Sequence, residues 1–147
     1  IRDSYIPDTS LQESLIIAAL SGIKVKLLVP QKGDSVFVHI ACESFFEELL
    51  KAGVEIYLYE KGFVHAKTFV IDGEVASVGT ANLDARSFDL NFEVNALVYN
   101  KTVASDLQRI FYNDLKNARL LQLEQWQKRS EFKQMIERVV RLFSPFL

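Results

Sequence analysis

Two β-forming runs, Phe63 to Ile71 and Glu74 to Thr80, are separated by the dipeptide Asp72-Gly73. That arrangement is a strong antiparallel hairpin signal, because Asp-Gly readily takes the left-handed backbone of a tight turn. Side chains alternate along a strand, so His65 and Lys67 share one face. With a two-residue loop, Ile71 pairs with Glu74, Lys67 faces Val78 and His65 faces Thr80. Asn82 then lies just beyond the strand end, beside the histidine.

An imidazole and an ammonium side by side suit attack on a phosphodiester. The His65 ring can serve as nucleophile or as acid, and Lys67 can neutralise charge on the non-bridging oxygens as the transition state forms. Gly79, Thr80 and Asn82 border the same expected phosphate pocket. Gly79 leaves room for close backbone approach, and the Asn82 amide can donate to a phosphate oxygen. Asp72 is roughly 23 Å from His65 at about 3.3 Å per extended residue, so its carboxylate is read as a lock on the turn. A histidine nucleophile needs a partner to set its tautomer. Asp89 and Glu93 are candidates, and Glu93, at the start of a strand Phe92 to Tyr99, is preferred. No cluster of carboxylates or cysteines suits magnesium or zinc, so neither a metal nor another cofactor is expected.

A lone histidine on a strand is ordinarily a satisfied polar residue. His39, in the run Val36 to Ala41 with no matching partner, is read that way, as surface or structural. His65 differs because Lys67, Asp72, Gly79, Thr80 and Asn82 stand at set offsets from it.

Around the hairpin, helix and strand alternate. A helix over Leu11 to Ser21, capped by Asp8 or Ser10, ends at Gly22, and a strand Ile23 to Val29 stops at Pro30. A helix Val36 to Lys51, a stop at Gly53 and a strand Val54 to Tyr59 follow. After the hairpin, helices are expected over Thr102 to Ala118 and Leu123 to Phe143, broken near Ser130. Residues 1–147 show no repeat or linker. They are read as one α/β domain, a mixed sheet flanked by helices.

Composition narrows the function classes. A formal net charge of -2 disfavours a general nucleic-acid binder. One cysteine, Cys42, excludes an internal disulfide and is read as a small buried hydrophobe. No apolar run reaches the roughly 18 residues of a membrane span. The chain does not start with Met, and Ile1 is expected to lie inside a longer protein.

The spacing HxKx4Dx6G(S/T)xN, filled by His65, Lys67, Asp72, Gly79, Thr80 and Asn82, resembles the HKD signature of the phospholipase D superfamily. The flanks are similar to bacterial cardiolipin synthases, and to their C-terminal HKD half. They include Tyr5-Ile6-Pro7-Asp8, the run Phe45 to Leu50 followed by Ala52-Gly53-Val54, and Gly62 to Lys67. They also include Ala81 to Asp84, Arg86-Ser87-Phe88, Asn91 to Asn95 and Arg141 to Leu147. The resemblance implies a phospholipase D-like sandwich and a catalytic set of His65, Lys67 and Asp72. It implies two HKD motifs meeting at one site, one histidine forming a phosphohistidine and the other moving the proton. The substrates implied are phospholipids, phosphatidylglycerol first, with cardiolipin as product and no metal. The second HKD domain would come from the same full-length protein or a homodimer mate. Other phosphodiesterases of the superfamily, hydrolase or nuclease, and a binding or regulatory half are the competing readings. Polar Ile1-Arg2-Asp3-Ser4 departs from the family, where a sheet strand leads into Tyr5, so that strand is expected to be cut short or replaced.

Phe132, Ile136, Val139, Val140 and Phe143 form one helical stripe amid Lys128, Arg129, Lys133, Arg138 and Arg141. Two readings stand: packing on the protein itself, or an interfacial helix on an anionic membrane surface. The full-length protein is expected at the bacterial inner membrane, with this piece soluble or peripheral.

Overall fold

The computed structural model describes residues 1–3, 9–33, 35–62 and 64–142. The expectations for Tyr5 to Asp8, including the Asp8 cap, and for Phe143 to Leu147 lie outside the described residues. Helix α1 (Thr9–Leu20) leads to strand β1 (Lys26–Pro30). Helix α2 (Val36–Lys51) then crosses over to β2 (Glu55–Tyr59), which runs parallel to β1 from Lys26↔Glu55 to Pro30↔Tyr59. Strands β3 (Thr68–Ile71) and β4 (Val75–Gly79) form the hairpin, and a short helix α3 (Ala85–Asp89) precedes β5 (Asn95–Tyr99), antiparallel to β4. Helix α4 (Lys101–Leu115), strand β6 (Ala118–Leu120), α5 (Leu123–Gln127) and α6 (Glu131–Arg141) complete the order.

The strands form two triplets, β1-β2-β6 and β3-β4-β5. Residues 1–3 join them. Arg2 bridges Leu28 in parallel and Thr68 in antiparallel sense, with Arg2 N donating to Thr68 O at 2.8 Å and Asp3 N to Leu28 O at 3.1 Å. Residues 1–3 thus hold a place between the triplets through isolated bridges at Arg2 alone, as a first strand cut short would. Their polar side chains have partners inside the fold: Arg2 pairs with Asp114 of α4 at 3.2 Å, and Asp3, 1% exposed, accepts the Leu83 N–H. The result is one mixed sheet with helices on both faces.

Alternation along the strands assigns the two faces. Leu27, Val29, Ile56 and Leu58 pack with Ala41, Cys42, Phe45, Phe46 and Leu49 of α2 in the main core. Burial pushes the Cys42 thiol pKa upward, as fits a packed hydrophobe. The opposite face lies under α4, where Ala76 and Ala104 are fully buried. Trp126 of α5 meets the Phe46 ring at 5.4 Å, with the Arg129 guanidinium 3.7 Å above the indole. Arg129 is itself paired with buried Glu137 at 2.6 Å. On α6 the expected stripe divides: Ile136 and Val140 pack toward α2, whereas Phe132 and Val139 face outward with Met135 and Leu142.

Three local readings change. The helix expected to reach Ala118 stops at Leu115, because Ala118–Leu120 pairs with the edge of β2. The five-residue helix α3 was unexpected, being too short to show a period. Most consequential is the hairpin register. Asp72 and Gly73 both have positive φ, 52° and 68°, and Glu74 N donates to Ile71 O at 3.0 Å. Glu74, however, stays outside the ladder, so pairing begins at Ile71↔Val75 and not at Ile71↔Glu74. The shift is one residue, and it places Lys67 opposite Gly79, whose N–H donates to Lys67 O at 3.1 Å. The expected pairings of Lys67 with Val78 and His65 with Thr80 are corrected accordingly.

Two stability outcomes follow from this architecture. Phe46→Ala, which empties the packing beneath Trp126, is expected to cost about 3–5 kcal/mol in urea unfolding. At the turn, Asp72→Val places a β-branched residue in the left-handed region and is expected to cost about 1–2 kcal/mol. Asp72→Gly should unfold close to the parent. Equal losses for both turn variants would show that the Asp72 carboxylate, not its backbone, secures the turn.

Candidate active site

The site lies where the hairpin enters β3 and leaves β4. His65 is exposed and Lys67 half-buried, both just ahead of β3. Lys67 Nζ lies 3.1 Å from His65 Nε2 and donates to His65 O at 3.3 Å. An ammonium has only donors, so a hydrogen bond between the two requires Nε2 to accept. The expected strand Phe63 to Ile71 is corrected to Thr68–Ile71, so His65 and Lys67 do not share a strand face, but their side chains are in contact. Asp72 sits at the far end of β3, exposed, in the turn.

Beyond β4 the chain runs through Thr80, Ala81, Asn82 and Leu83. Thr80 is tied to Val94: its N–H donates to Val94 O at 3.0 Å, and its hydroxyl accepts the Val94 N–H at 3.0 Å. Each of the next three N–H groups donates to a side-chain oxygen. Ala81 N donates to Asn95 Oδ1 at 3.3 Å, Asn82 N to Ser87 Oγ at 3.1 Å, and Leu83 N to Asp3 Oδ2 at 3.2 Å. Ser87 is itself fixed, because Asp84 caps α3 by accepting the Ser87 N–H at 2.7 Å. Asn82 is half-buried, and its Oδ1 is shielded from solvent without a hydrogen-bond partner among the described residues. An amide oxygen only accepts, so a ligand that meets it must bring a donor, whereas the Nδ2 of the same amide supplies donors for a phosphate oxygen.

Gly79 serves a purpose other than the expected approach of backbone to phosphate. A Cβ there would overlap the Oδ1 and Cγ atoms of Asn95, so the space above Gly79 is filled by the Asn95 amide. Glu93, half-buried just ahead of β5, accepts from Asn91 Nδ2 at 3.3 Å and from Ser87 Oγ at 3.5 Å. Asp89, the other candidate, is exposed at the end of α3. His39 lies on α2 with Nε2 3.6 Å from Glu43 Oε1. Among the described residues, no three His, Cys, Asp or Glu side chains are grouped to hold a metal ion.

Sequence reasoning missed three residues that hold this segment: Asp3, Ser87 and Asn95. Ser87 had a local signal, the Asp84-x-x-Ser87 spacing of a capped helix start. Asn95 followed from the correct register alone, and Asp3 is about 80 residues away in the chain, out of reach of any local pattern.

Residues 1–115 match the family described as the PLD-like domain of cardiolipin synthase. The chain is 50% identical over 143 residues to the major cardiolipin synthase ClsA of Bacillus subtilis. It is 47% identical over 143 residues to a cardiolipin synthase of Clostridium perfringens strain SM101. Both matches cover 97% of this chain and 30% of the relative, so the chain spans less than a third of the relatives' length. In shape it is similar to phosphatidylserine synthase of Haemophilus influenzae, with TM-score 0.74, 14% identity, and coverage of 99% of this chain and 38% of that one. It is also similar to Nuc, a phospholipase D family member from Salmonella typhimurium, with TM-score 0.72, 15% identity, and coverage of 82% and 79%. These two likenesses show a shared fold. With an HKD-spaced hairpin, a mixed sheet between helices and close sequence relatives of one kind, the chain belongs to the cardiolipin synthase family of phospholipase D-like domains.

Proposed function

We propose that this chain is a single phospholipase D-like domain supplying one of two HKD half-sites for phosphatidyl transfer. The reaction makes cardiolipin from phosphatidylglycerol and a second phospholipid. The observation that carries the reading is the His65 Nε2–Lys67 Nζ pair at 3.1 Å, set beside the segment that presents Asn82. One histidine of the two-domain site attacks phosphorus, forming an N–P bond as the P–O bond to the leaving alcohol breaks. The other histidine protonates that alcohol, then takes the proton of the incoming lipid hydroxyl as it displaces the first. When phosphatidylglycerol is the donor, glycerol leaves. Lys67 and the Asn82 amide stabilise the phosphoryl oxygens, and Glu93 orients the His65 ring. Thr80 and Gly79 contribute by shaping the segment. Asp72, part of the motif, acts through the turn. The groups gathered at the site are an imidazole, an ammonium and amides, which supports chemistry that needs no metal.

The second half-site fits a bare surface beside the first. On the face that carries Lys67, Ile71, Leu97 and Tyr99 are exposed, Tyr99 at 76%. A second HKD domain, from the rest of a longer protein or from a homodimer mate, would cover them and bring in the second histidine. The outward residues Phe132, Met135, Val139 and Leu142 of α6, next to Lys128 and Arg138, support contact with an anionic membrane surface. No helix among the described residues is long and apolar enough to cross a membrane. A nuclease reading is the weaker one, given the net charge of -2.

Lipid transfer, phospholipid hydrolysis and DNA cleavage assayed on one preparation separate the readings. The isolated chain should turn over little, and mixing it with the remainder of the full-length protein should restore transfer. His65→Ala in that mixture should lose at least about 10³-fold in kcat, the scale of a missing acid-base or nucleophilic group. Strong transfer by a monomeric chain, or by the His65→Ala mixture, would overturn the two-histidine reading. A chelator should leave the full-length rate within about twofold, since no Lewis acid is invoked. Loss of activity restored by a divalent ion would refute that.

A further inference from the structure

Gly79 is the middle member of a row that runs from the segment just ahead of β3 through β4 to β5. Its N–H donates to Lys67 O on one side, and Asn95 is its register partner on the other. Directly opposed residues put their side chains on the same face, so Lys67 and Asn95 face each other across a position that has no side chain. Asn95 leans into that gap, over the site a Gly79 Cβ would fill. Its amide therefore lies above β4, one strand spacing of about 4.8 Å closer to Lys67 than its own backbone is. Oδ1 is committed to the Ala81 N–H at 3.3 Å, which fixes the amide plane and leaves Nδ2 with two donors on an exposed residue.

We propose that Asn95 is a further phosphate-binding residue, its Nδ2 donating to a non-bridging oxygen held between the amide and Lys67. The proposal rests on the phosphodiester reading of His65 and Lys67 and deepens it. It also makes glycine at position 79 matter to the ligand, because any Cβ would push the Asn95 amide aside. One side chain then does two tasks, holding the Ala81 N–H with its oxygen and the ligand with its nitrogen.

Substitution separates the two tasks. Asn95→Asp is isosteric and keeps an oxygen for the Ala81 N–H, but it replaces the donor with an anion. Asn95→Ala removes both. The experiment titrates inorganic phosphate into the isotope-labelled chain and follows side-chain amide, backbone amide and imidazole resonances. In the parent, the Asn95 side-chain NH₂ resonances should move together with those of His65. Asn95→Asp should keep the Ala81 backbone resonance in place and bind phosphate at least about tenfold more weakly, the loss expected for a donor turned repulsive. Asn95→Ala should lose both the Ala81 position and the affinity. Unmoved Asn95 side-chain resonances, an Asn95→Asp chain that binds phosphate like the parent, or a parent that binds none, would each overturn the proposal. Failure of the functional reading shows elsewhere, as lipid transfer undiminished by His65→Ala in the full-length protein with the phosphate titration unchanged.

Discussion

Where the chain leaves β4 it carries three consecutive N–H groups, at residues 81, 82 and 83, that no neighbouring strand takes up. Partly buried donors of this kind are costly to leave unpaired. Here each finds a side-chain oxygen from a different part of the molecule: Asn95 on β5, Ser87 on α3 and Asp3 in the opening segment. The rest of the site depends on that arrangement. It fixes the backbone of Asn82 on Ser87 and ties Glu93 to the same serine. It also draws residues 1–3 into the middle of the sheet, where Arg2 bridges the two strand triplets. Sheet continuity and site geometry are thus the same set of bonds, and a change at Asp3 would reach both.

The scaffold is asymmetric about this site. One face of β1 and β2 carries the dense core under α2, with Phe46, Leu49 and Ile56 fully or almost fully buried. The same face over β3, β4 and β5 leaves Ile71, Leu97 and Tyr99 exposed. The edge that carries His65 and Lys67 thus lies between a packed region and a bare apolar one, with rigid support on one side and exposed surface on the other.

The C-terminal region shows how one amphipathic pattern can serve two surfaces. Ile136, Val140 and buried Glu137 face the protein, and the Arg129–Glu137 pair sits under the shelter of Trp126. Lys133 and Arg141 reach Glu43 and Glu48 of α2, so part of the helix's positive charge is spent on holding it in place. Arg141 also holds the Glu48 carboxyl below the usual carboxylate range. What remains outward is apolar, with Arg138 and Lys128 beside it. Part of the stripe packs on the protein and part does not, because a helix of three turns has room for a packed face and a free one.

The chain's own text was sufficient for the elements whose cause is local. Composition announced α1, although Ser10 lies inside the helix and does not cap it; helical spacing announced α2; and the expected break falls at Ser130, which caps α6 by accepting the Lys133 N–H. Alternation and the Asp-Gly turn announced the hairpin, and the offsets around His65 announced the family. Tertiary structure decided what depends on distant partners. The three-residue strand β6 exists because the edge of β2 is there to pair with. Asp3 and Arg2 are buried because Leu83 and Asp114 come to meet them. The hairpin register fell between the two: residue types named the turn, but whether Glu74 joins the ladder depends on how β4 must also meet β5, at Val75↔Tyr99 through Gly79↔Asn95. A one-residue slip moves every side chain to the other face, so only the assembled sheet could put Lys67, Gly79 and Asn95 in one row.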